Sequence, residues 1–552
     1  MLQWVGGAGW TARLPSVVDD PPMSVPVTRM NLGRLVGMFV AALHGVLLLA
    51  AVAVSLYAVV DAAADLGSEG QAAALGAVLD IRRWAALLGN TGVVCGVAVM
   101  VAVGLGGVLG VLATRTDLPG RRVLWGAALF GACLPPYVIL AVFFTHLPLF
   151  RLAAAPLPAC GALYGLVYTP LAVLVLGIAF RSADREVEEQ AMLDMSPRGV
   201  LWYVTLPMAR WAVAVLAVLL VVLVATDSSI SDLLMVRTFA EEVYTLYVLD
   251  QQRVLPVLTA APLLLVVGAA LAILLYRYRG LGEQSGGQFG AWPAMFSLGR
   301  WRWVAKVLAV LAIAGGLGWP LVTLVVRAAQ ASEPWSRAAY MLSDEIRWTL
   351  LLAAAGASLA ALPTVGLAGV LLSQGWRCGV VLAGVALLLA TPAPVVGISL
   401  KELLNRPGVL GAVHDSPFAV SLGYFIRFLP LGVLLLVPGV RRVPSELEQA
   451  ARLDGCGWAR LQWHVRRPAV APYLALAWLV ILILCFGEIG ATVLLHAPGS
   501  ATAAISAYYA LHKGVYADLA LLALLSAAVI LLPWGLLVWW WRRATRAAGD
   551  SV

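Results

Sequence analysis

Two stretches of the sequence carry charged and polar side chains at a spacing that the rest of the chain lacks. One reads Glu188-Glu189-Gln-Ala191-Met-Leu193-Asp194-Met195-Ser-Pro and runs on to Pro207. The other reads Glu448-Gln-Ala450-Ala451-Arg-Leu453-Asp454-Gly455-Cys-Gly and runs on to Pro468. Each opens with good helix formers and an acid, which suits the positive end of a short helix. In the second stretch Gly455 is able to supply a left-handed turn that ends the helix, after which an amphipathic segment stopped by proline returns the chain. The pattern predicts a helix-turn-helix. In the first stretch Met195 stands at the glycine position, and methionine strongly disfavours a positive φ. A shortened turn of different shape is expected there, with Ser196-Pro197 restarting the helix.

Other chemistries find no constellation. The six cysteines are scattered, without CxxC or partnered spacing, and the six histidines are equally dispersed. A disulfide framework, a metal site and a catalytic group are therefore not expected. The lysines are Lys306, Lys401 and Lys513, and none lies in GxxxxGK[ST]. The chain thus has no phosphate-cradling loop, and it has no cofactor of its own; ATP and Mg would be bound by another chain. The net charge of +8 comes from basic residues dispersed beside apolar runs, which argues against nucleic acid as a partner.

The elements that must position the two loops are membrane spans. The 552 residues are 62% hydrophobic and 12% charged, against about 25% charged in soluble domains, so a soluble globule is excluded. The mean hydropathy of +0.91 points the same way, to the lipid bilayer as solvent. With about 20 apolar residues per crossing, spans are expected at roughly 35–60, 85–113, 123–145, 160–180, 211–231 and 256–276, then 303–326, 349–372, 380–400, 418–437, 473–493 and 519–541. The fold class is all-α integral membrane, with about twelve transmembrane helices. The organisation is a tail over 1–34, a first half over 35–278, a linker over 279–302, a second half over 303–541 and a tail over 542–552.

An internal repeat supports the two halves. Tyr164, Pro170, Leu193 and Asp194 recur as Tyr424, Pro430, Leu453 and Asp454, 260 residues on; Pro207, Asp227 and Leu233 find Pro468, Glu488 and Leu494 at 261. Six spans per half keeps the copies parallel. Arginines concentrate in alternate loops, including Arg115, Arg121, Arg122, Arg441, Arg460, Arg466 and Arg467. Positive loops stay cytoplasmic, which places both termini and the two long basic loops that carry Glu188 and Glu448 inside.

On these residues the sequence resembles the EAA loop of ABC importer permeases: Glu448, Ala450, Ala451, Leu453, Asp454, Gly455 and Pro468 fit its pattern, and the first copy departs at Met195. The resemblance implies two tandem six-helix (MetI-like) permease halves in a bacterial inner (plasma) membrane. Glu188, Glu189, Ala191, Asp194, Met195 and Pro207 in one loop, and the matching set in the other, would then couple to two ABC ATPase subunits. An extracytoplasmic substrate-binding protein is also implied. Arg115-Thr-Asp-Leu-Pro-Gly-Arg-Arg122 resembles a loop of fused ferric-iron and thiamine permeases, but its counterpart Ser373-Gln-Gly-Trp-Arg377 keeps none of that pattern, so it reads as a positive-inside anchor. Ferric iron is the favoured solute. Thiamine, polyamine, phosphonate and sulfate permeases share the EAA loop, and a secondary transporter driven by an ion gradient is the alternative of another class.

For the translocation path, intramembrane charge marks three residues. Arg427 lies mid-span, three residues before Pro430, and its counterpart is Val167. It lines the path, pairs with an acid or snorkels. Asp227 and Glu488 end the fifth span of each half. Two facing acids suit a cationic solute, and solvated helix ends are the plain alternative. Pro135-Pro136 and Pro392-Ala-Pro394 fall within each third span and are expected to kink it.

Reporters fused after Arg185 and after Arg460 should be cytoplasmic and those near Asp61 and Thr502 external. Opposite labelling would overturn the charge argument.

Overall fold

The computed structural model describes residues 80–145, 156–181, 183–249, 254–281, 296–330, 342–372, 375–441, 443, 445–514 and 516–549, with isolated positions at 49, 52, 53 and 57. The expected span at 35–60, the first tail and most of the linker lie outside them. The described residues are helical, joined by turns and one isolated bridge between Thr116 and Phe296.

Seven helices are long and apolar enough to cross a membrane: Ile81–Thr114, Pro156–Arg181, Gly299–Ala329, Ser343–Leu371, Phe418–Arg441, Trp463–Phe486 and Ala517–Trp539. Three bent pairs raise the number to as many as ten, against the twelve expected for the whole chain. The expected span at 256–276 falls in Val254–Leu281. The last helix runs on to Gly549, eight residues past the expected end of its span.

The third spans are broken rather than kinked. Arg121–Cys133 meets Pro136–Phe143 at 94°, and Trp376–Ala390 meets Ala393–Leu404 at 102°. The cause is local. Leu134 (ψ 131°) and Thr391 (ψ 121°) each precede a proline, whose ring drives the preceding residue out of the helical region. A proline also lacks the N–H that would continue the ladder.

Close helix crossings rest on small residues. Ile81–Thr114 packs on Pro156–Arg181 where a Cβ on Gly161 would stand 2.6 Å from the Val94 carbonyl oxygen and one on Gly165 2.6 Å from Val101 Cβ. Ser343–Leu371 packs on Phe418–Arg441 in the same manner, with Gly356 against Tyr424 and Gly432 against Thr364. Without a hydrophobic driving force between lipid-facing helices, such contact supplies the association. Tyr164 and Tyr424, equivalent in the repeat, are fully buried beside these crossings.

The N- and C-terminal helix sets meet at their breaks. The Ala393 N–H, at the second break, donates to the Thr226 carbonyl, at the end of Arg210–Ala225 (3.1 Å). Reciprocally, Gly487, at the end of Arg467–Phe486, lies against Pro135 and Pro136 of the first break, where a Cβ would come within 2.7 Å of Pro136 Cδ.

Gly161→Leu should open the crossing of Ile81–Thr114 with Pro156–Arg181. Thermal unfolding of the detergent-purified chain should show a loss of about 1–3 kcal/mol, while Gly126→Leu, where a Cβ meets nothing within 4 Å, should have little effect.

Candidate functional site

The two acidic loops form the expected helix-turn-helices, with different turns. Arg185–Asp194 is capped by Asp184, whose Oδ1 accepts from the Glu186 N–H (3.0 Å), and it ends at Met195 in extended backbone (φ −141°). Ser196 Oγ then accepts from the Gly199 N–H (3.4 Å) and Pro197 starts the next helix. Ser445–Leu453 ends through Gly455 at φ +77°, and the Cys456 N–H closes the turn on the Ala451 carbonyl (2.9 Å). That is the left-handed cap for which glycine is needed.

Both loops return through a π-helical turn, Leu201–Thr205 in one and Gln462–Arg466 in the other, just before Pro207 and Pro468. Each π turn delivers the partner of the loop's glutamate. Thr205 Oγ1 donates to Glu188 Oε1 (2.6 Å), and Glu188, fully buried, is also paired with Arg115. Arg466 grips Glu448 with two parallel hydrogen bonds, Nε to Oε1 (2.6 Å) and Nη2 to Oε2 (2.9 Å). Burial pushes the Arg115 guanidinium down to about 10, so it stays charged near neutral pH. Glu188 and Glu448 therefore fasten the two arms of each loop together, beyond opening a helix.

The remaining residues of the loops face outward. Glu189, Asp194, Met195, Pro207, Ala450, Asp454, Gly455 and Pro468 are exposed, with Ala191 and Ala451 half-buried. Leu193 and Leu453 are 86% and 89% exposed, and Trp202 and Trp463 stand out beside them. The repeat thus places an apolar knob and an aromatic ring on each loop.

Arg115 corrects the reading of its loop as a plain positive anchor. It is buried. The end of the linker also docks on this loop: the Phe296 N–H donates to the Arg115 carbonyl (3.0 Å), the Leu298 N–H to Asp117 Oδ1 (2.9 Å), and Arg302 pairs with Asp117 (3.2 Å). Neither Arg115, Thr205 nor Arg466 was marked as a loop-fastening residue by spacing; a hydroxyl or opposite charge one loop-length from the glutamate was the available signal for Thr205 and Arg466, and Arg115, on another element, had none.

Of the three charges of the expected path, Arg427 and Glu488 stand beside each other, and Asp227 has contacts of its own in the other set. Asp227 Oδ1 accepts from the Ser229 N–H (3.2 Å) and both its oxygens from Ser229 Oγ (2.9 and 2.7 Å). Glu488 accepts from the Ala491 N–H (2.9 Å), the Thr492 N–H (3.0 Å) and the Thr492 hydroxyl. Arg427 Nε lies 3.9 Å from Glu488 Oε1, and Tyr168, from the other set, is within electrostatic reach of both Asp227 and Arg427. The acids accept from amides at the starts of the short helices Ser229–Leu233 and Thr492–Leu495, with Glu488 buried and Asp227 half-buried.

At the end of the bundle away from the loops, tyrosines bridge the sets. Tyr508 donates to Asp232 Oδ2 (2.7 Å) and Tyr247 to Glu402 Oε1 (3.2 Å); the two tyrosines are 261 residues apart.

Residues 349–546 match the family described as "Binding-protein-dependent transport system inner membrane component". The chain is 34% identical over 144 residues to a protein of Salmonella paratyphi A named "Putative 2-aminoethylphosphonate transport system permease protein PhnV", covering 26% of this chain and 53% of that one. It is 31% identical over 175 residues to "Putative ABC transporter permease protein ORF1" of Streptomyces antibioticus, covering 31% of this chain and 72% of that one. With "Putative ABC transporter permease protein ORF2" of a Caldicellulosiruptor species it shares 34% over 86 residues, 16% of this chain and 30% of that one. The chain spans about half the length of the Salmonella relative.

Removing the cation from a buried pair leaves an uncompensated charge, so Arg115→Leu should destabilise the purified chain by about 3–5 kcal/mol. Arg466→Leu, at a more exposed pair, should cost about 1 kcal/mol or less. Glu188→Gln combined with Arg115→Leu should recover part of the loss in thermal unfolding; no recovery would mean that Arg115 does not serve the Glu188 charge.

Proposed function

Because the chain belongs to the binding-protein-dependent transport system inner membrane components, a family of ABC transporter permeases, we propose that it works as a fused permease: two tandem halves, each docking one ATPase subunit. Closure of the ATPases on ATP is felt at the two helix-turn-helices and passed to the spans. A binding protein delivers the solute on the outer side. Both termini and both loops lie in the cytoplasm, and ATP hydrolysis belongs to the partner chains.

The observation that carries this reading is the duplicated, outward-facing loop. Two segments about 260 residues apart each pin a glutamate beneath the surface and leave a leucine almost wholly exposed. An exposed apolar knob on a rigid polar mount is what a partner's cleft would take up, since a solvated connector has no use for it. The matched broken spans, π turns and capped acids support two halves as well. For the solute, the fusion of two halves favours ferric iron or thiamine, while the Salmonella relative carries 2-aminoethylphosphonate in its name.

Gly455→Val should force a branched side chain into a left-handed turn and misdirect Ser445–Leu453. Glu448→Lys should set two cations against each other at Arg466. Both variants should reach the membrane at normal levels yet lose ATPase-subunit association or solute-stimulated hydrolysis, with Met195→Val far milder. Transport that persists in Gly455→Val without ATP and collapses with an ion gradient would replace the importer by a secondary carrier.

A further inference from the structure

The tyrosine bridge at the end of the bundle away from the loops belongs to a longer chain of side chains, drawn alternately from the two helix sets. Tyr508, on Ala503–Lys513, donates to Asp232 Oδ2 (2.7 Å), which belongs to Ser229–Leu233. A phenol has one proton, so the hydroxyl of Tyr244, on Phe239–Leu249, is the donor in its 3.3 Å contact with Tyr508. His512 reaches the same carboxylate oxygen, with Nε2 3.3 Å from Asp232 Oδ2. In order the chain runs Tyr244, Tyr508, Asp232, His512, and it crosses between the sets at every step.

The contacts of the His512 ring fix its charge. Nδ1 lies 2.9 Å from the Tyr508 carbonyl oxygen. A carbonyl only accepts, so Nδ1 carries a proton. A neutral ring would then turn the lone pair of Nε2 toward an ionised carboxylate oxygen, which repels it, whereas an imidazolium presents an N–H. The contact with Asp232 therefore belongs to the charged ring. That ring also packs on Tyr508, with centroids 4.2 Å apart, where a cation is further favoured. The His512 side chain is 39% exposed, so solvent has access to its proton.

The groups around the ring act in one direction. The hydrogen bond to Asp232 raises the His512 imidazole above its ordinary value, against burial, which lowers it. A group raised by its partner holds that partner fully below its ordinary value and releases it as pH climbs through the raised one. Burial pushes the Tyr508 and Tyr244 hydroxyls up, so both keep their protons while His512 titrates. Glu241, on the helix of Tyr244, is pushed up to about 6 by burial and feels the charge of Asp232, so its ionisation also loads the acid side of the pair as pH rises. Ala503–Lys513 packs as well on Ser343–Leu371, Pro136–Thr145 and Tyr516–Gly549. Among the described residues, Asp344, Glu345 and Arg347 on the first, Tyr137 on the second and Asp518 on the third make no contact with the ring, and neither does Lys513 beside it.

We propose that His512 and Asp232 form a proton-dependent latch between the two helix sets, fastened while the imidazole is charged and released when it loses its proton. The Tyr508 hydroxyl bond to Asp232 stays in place and lets the sets come together again. The latch requires two sets that part at this end and no more. That the latched end admits a solute rests on the permease reading above, on which alkaline surroundings ease its opening.

The test measures distances by double electron–electron resonance on the purified full chain in lipid nanodiscs, without ATPase or solute, so its outcome is independent of the permease reading. Spin labels go on Ile81→Cys and Val409→Cys, which are 81% exposed each and lie on opposite sets. Cys456→Ser removes the half-buried native cysteine; Cys95, Cys133, Cys160, Cys378 and Cys485 are buried. Between about pH 7 and about pH 9 the population at longer distance should grow at least about twofold, the scale of a partly exposed ion pair. His512→Gln should show the larger population at both pH values, and His512→Lys, which keeps the cation, the smaller one at both. Asp232→Asn, which still accepts from Tyr508, should also lose the pH dependence. Equal distributions at the two pH values in the parent overturn the latch. So does a His512→Gln or Asp232→Asn variant that titrates as the parent does, since the response would then belong to another group such as Glu241, and so does a His512→Lys variant as separated as His512→Gln.

Discussion

A helix that breaks inside apolar surroundings frees backbone groups that water cannot satisfy, and the architecture of this protein follows from how it meets that constraint. The prolines at 135–136 and 392–394 turn the third spans through about a right angle. The helices of the fifth spans end at Thr226 and Gly487, where short helices follow. The freed amides are taken by carboxylates, Glu488 in one set and Asp227 in the other, and by the opposite set, where Ala393 donates to Thr226. The breaks are thus among the places where the two sets touch. A space for a solute can exist there because neither set runs a continuous helix through it.

The same constraint decides what the acids can do. A carboxylate that accepts two amides and a hydroxyl, as Glu488 does, is held in one position by the helix start that follows it. It is a structural part of the chain that leads from Arg467–Phe486 into Thr492–Leu495. Read from sequence, two acids facing each other suggested attraction for a cation. Their hydrogen bonds add a second role, since each acid also holds the start of a short helix, and Arg427 stands 3.9 Å from one of them.

Much of this was legible in the residues. Apolar runs located the helices, the 260-residue repeat located matching turns, and Gly455 signalled its own left-handed conformation, which the structure shows at φ +77°. Met195 signalled a different turn for the opposite reason. The number of crossings was less legible, because a length rule counts apolar residues and does not see that a residue before proline must leave the helical region. Arg121–Cys133 has 13 residues and Pro136–Thr145 has 10, and neither alone is a span. The partners of Glu188 and Glu448 were hidden more deeply. One draws its cation from Arg115, more than 70 residues earlier, and the other from Arg466 in its own loop. A search at fixed offset cannot find a function that has moved to a different element.

That exchange makes the two loops mechanically unequal under the permease reading. Glu448 is tied to Arg466, at the foot of Arg467–Phe486, so a displacement of the second loop is delivered to that helix directly. Glu188 is tied both to Thr205 and to Arg115, which caps Ile81–Thr114. Arg115 in turn holds Phe296, and Asp117 holds Leu298 and Arg302, so the linker is fastened to the same point. A push on the first loop must therefore move Ile81–Thr114 and the linker with it, or break a buried ion pair. The exposed leucines and tryptophans present similar surfaces to similar partners, yet the first loop drives a larger body than the second. Equal closure at the two docking sites would then produce unequal motion at the breaks between the helix sets. There Arg427 belongs to one set alone, and its counterpart in the other is Val167. On the proposed reading of two fused halves, the asymmetry of the mounts and that of Arg427 against Val167 have one explanation: a change in one half is not copied into the other.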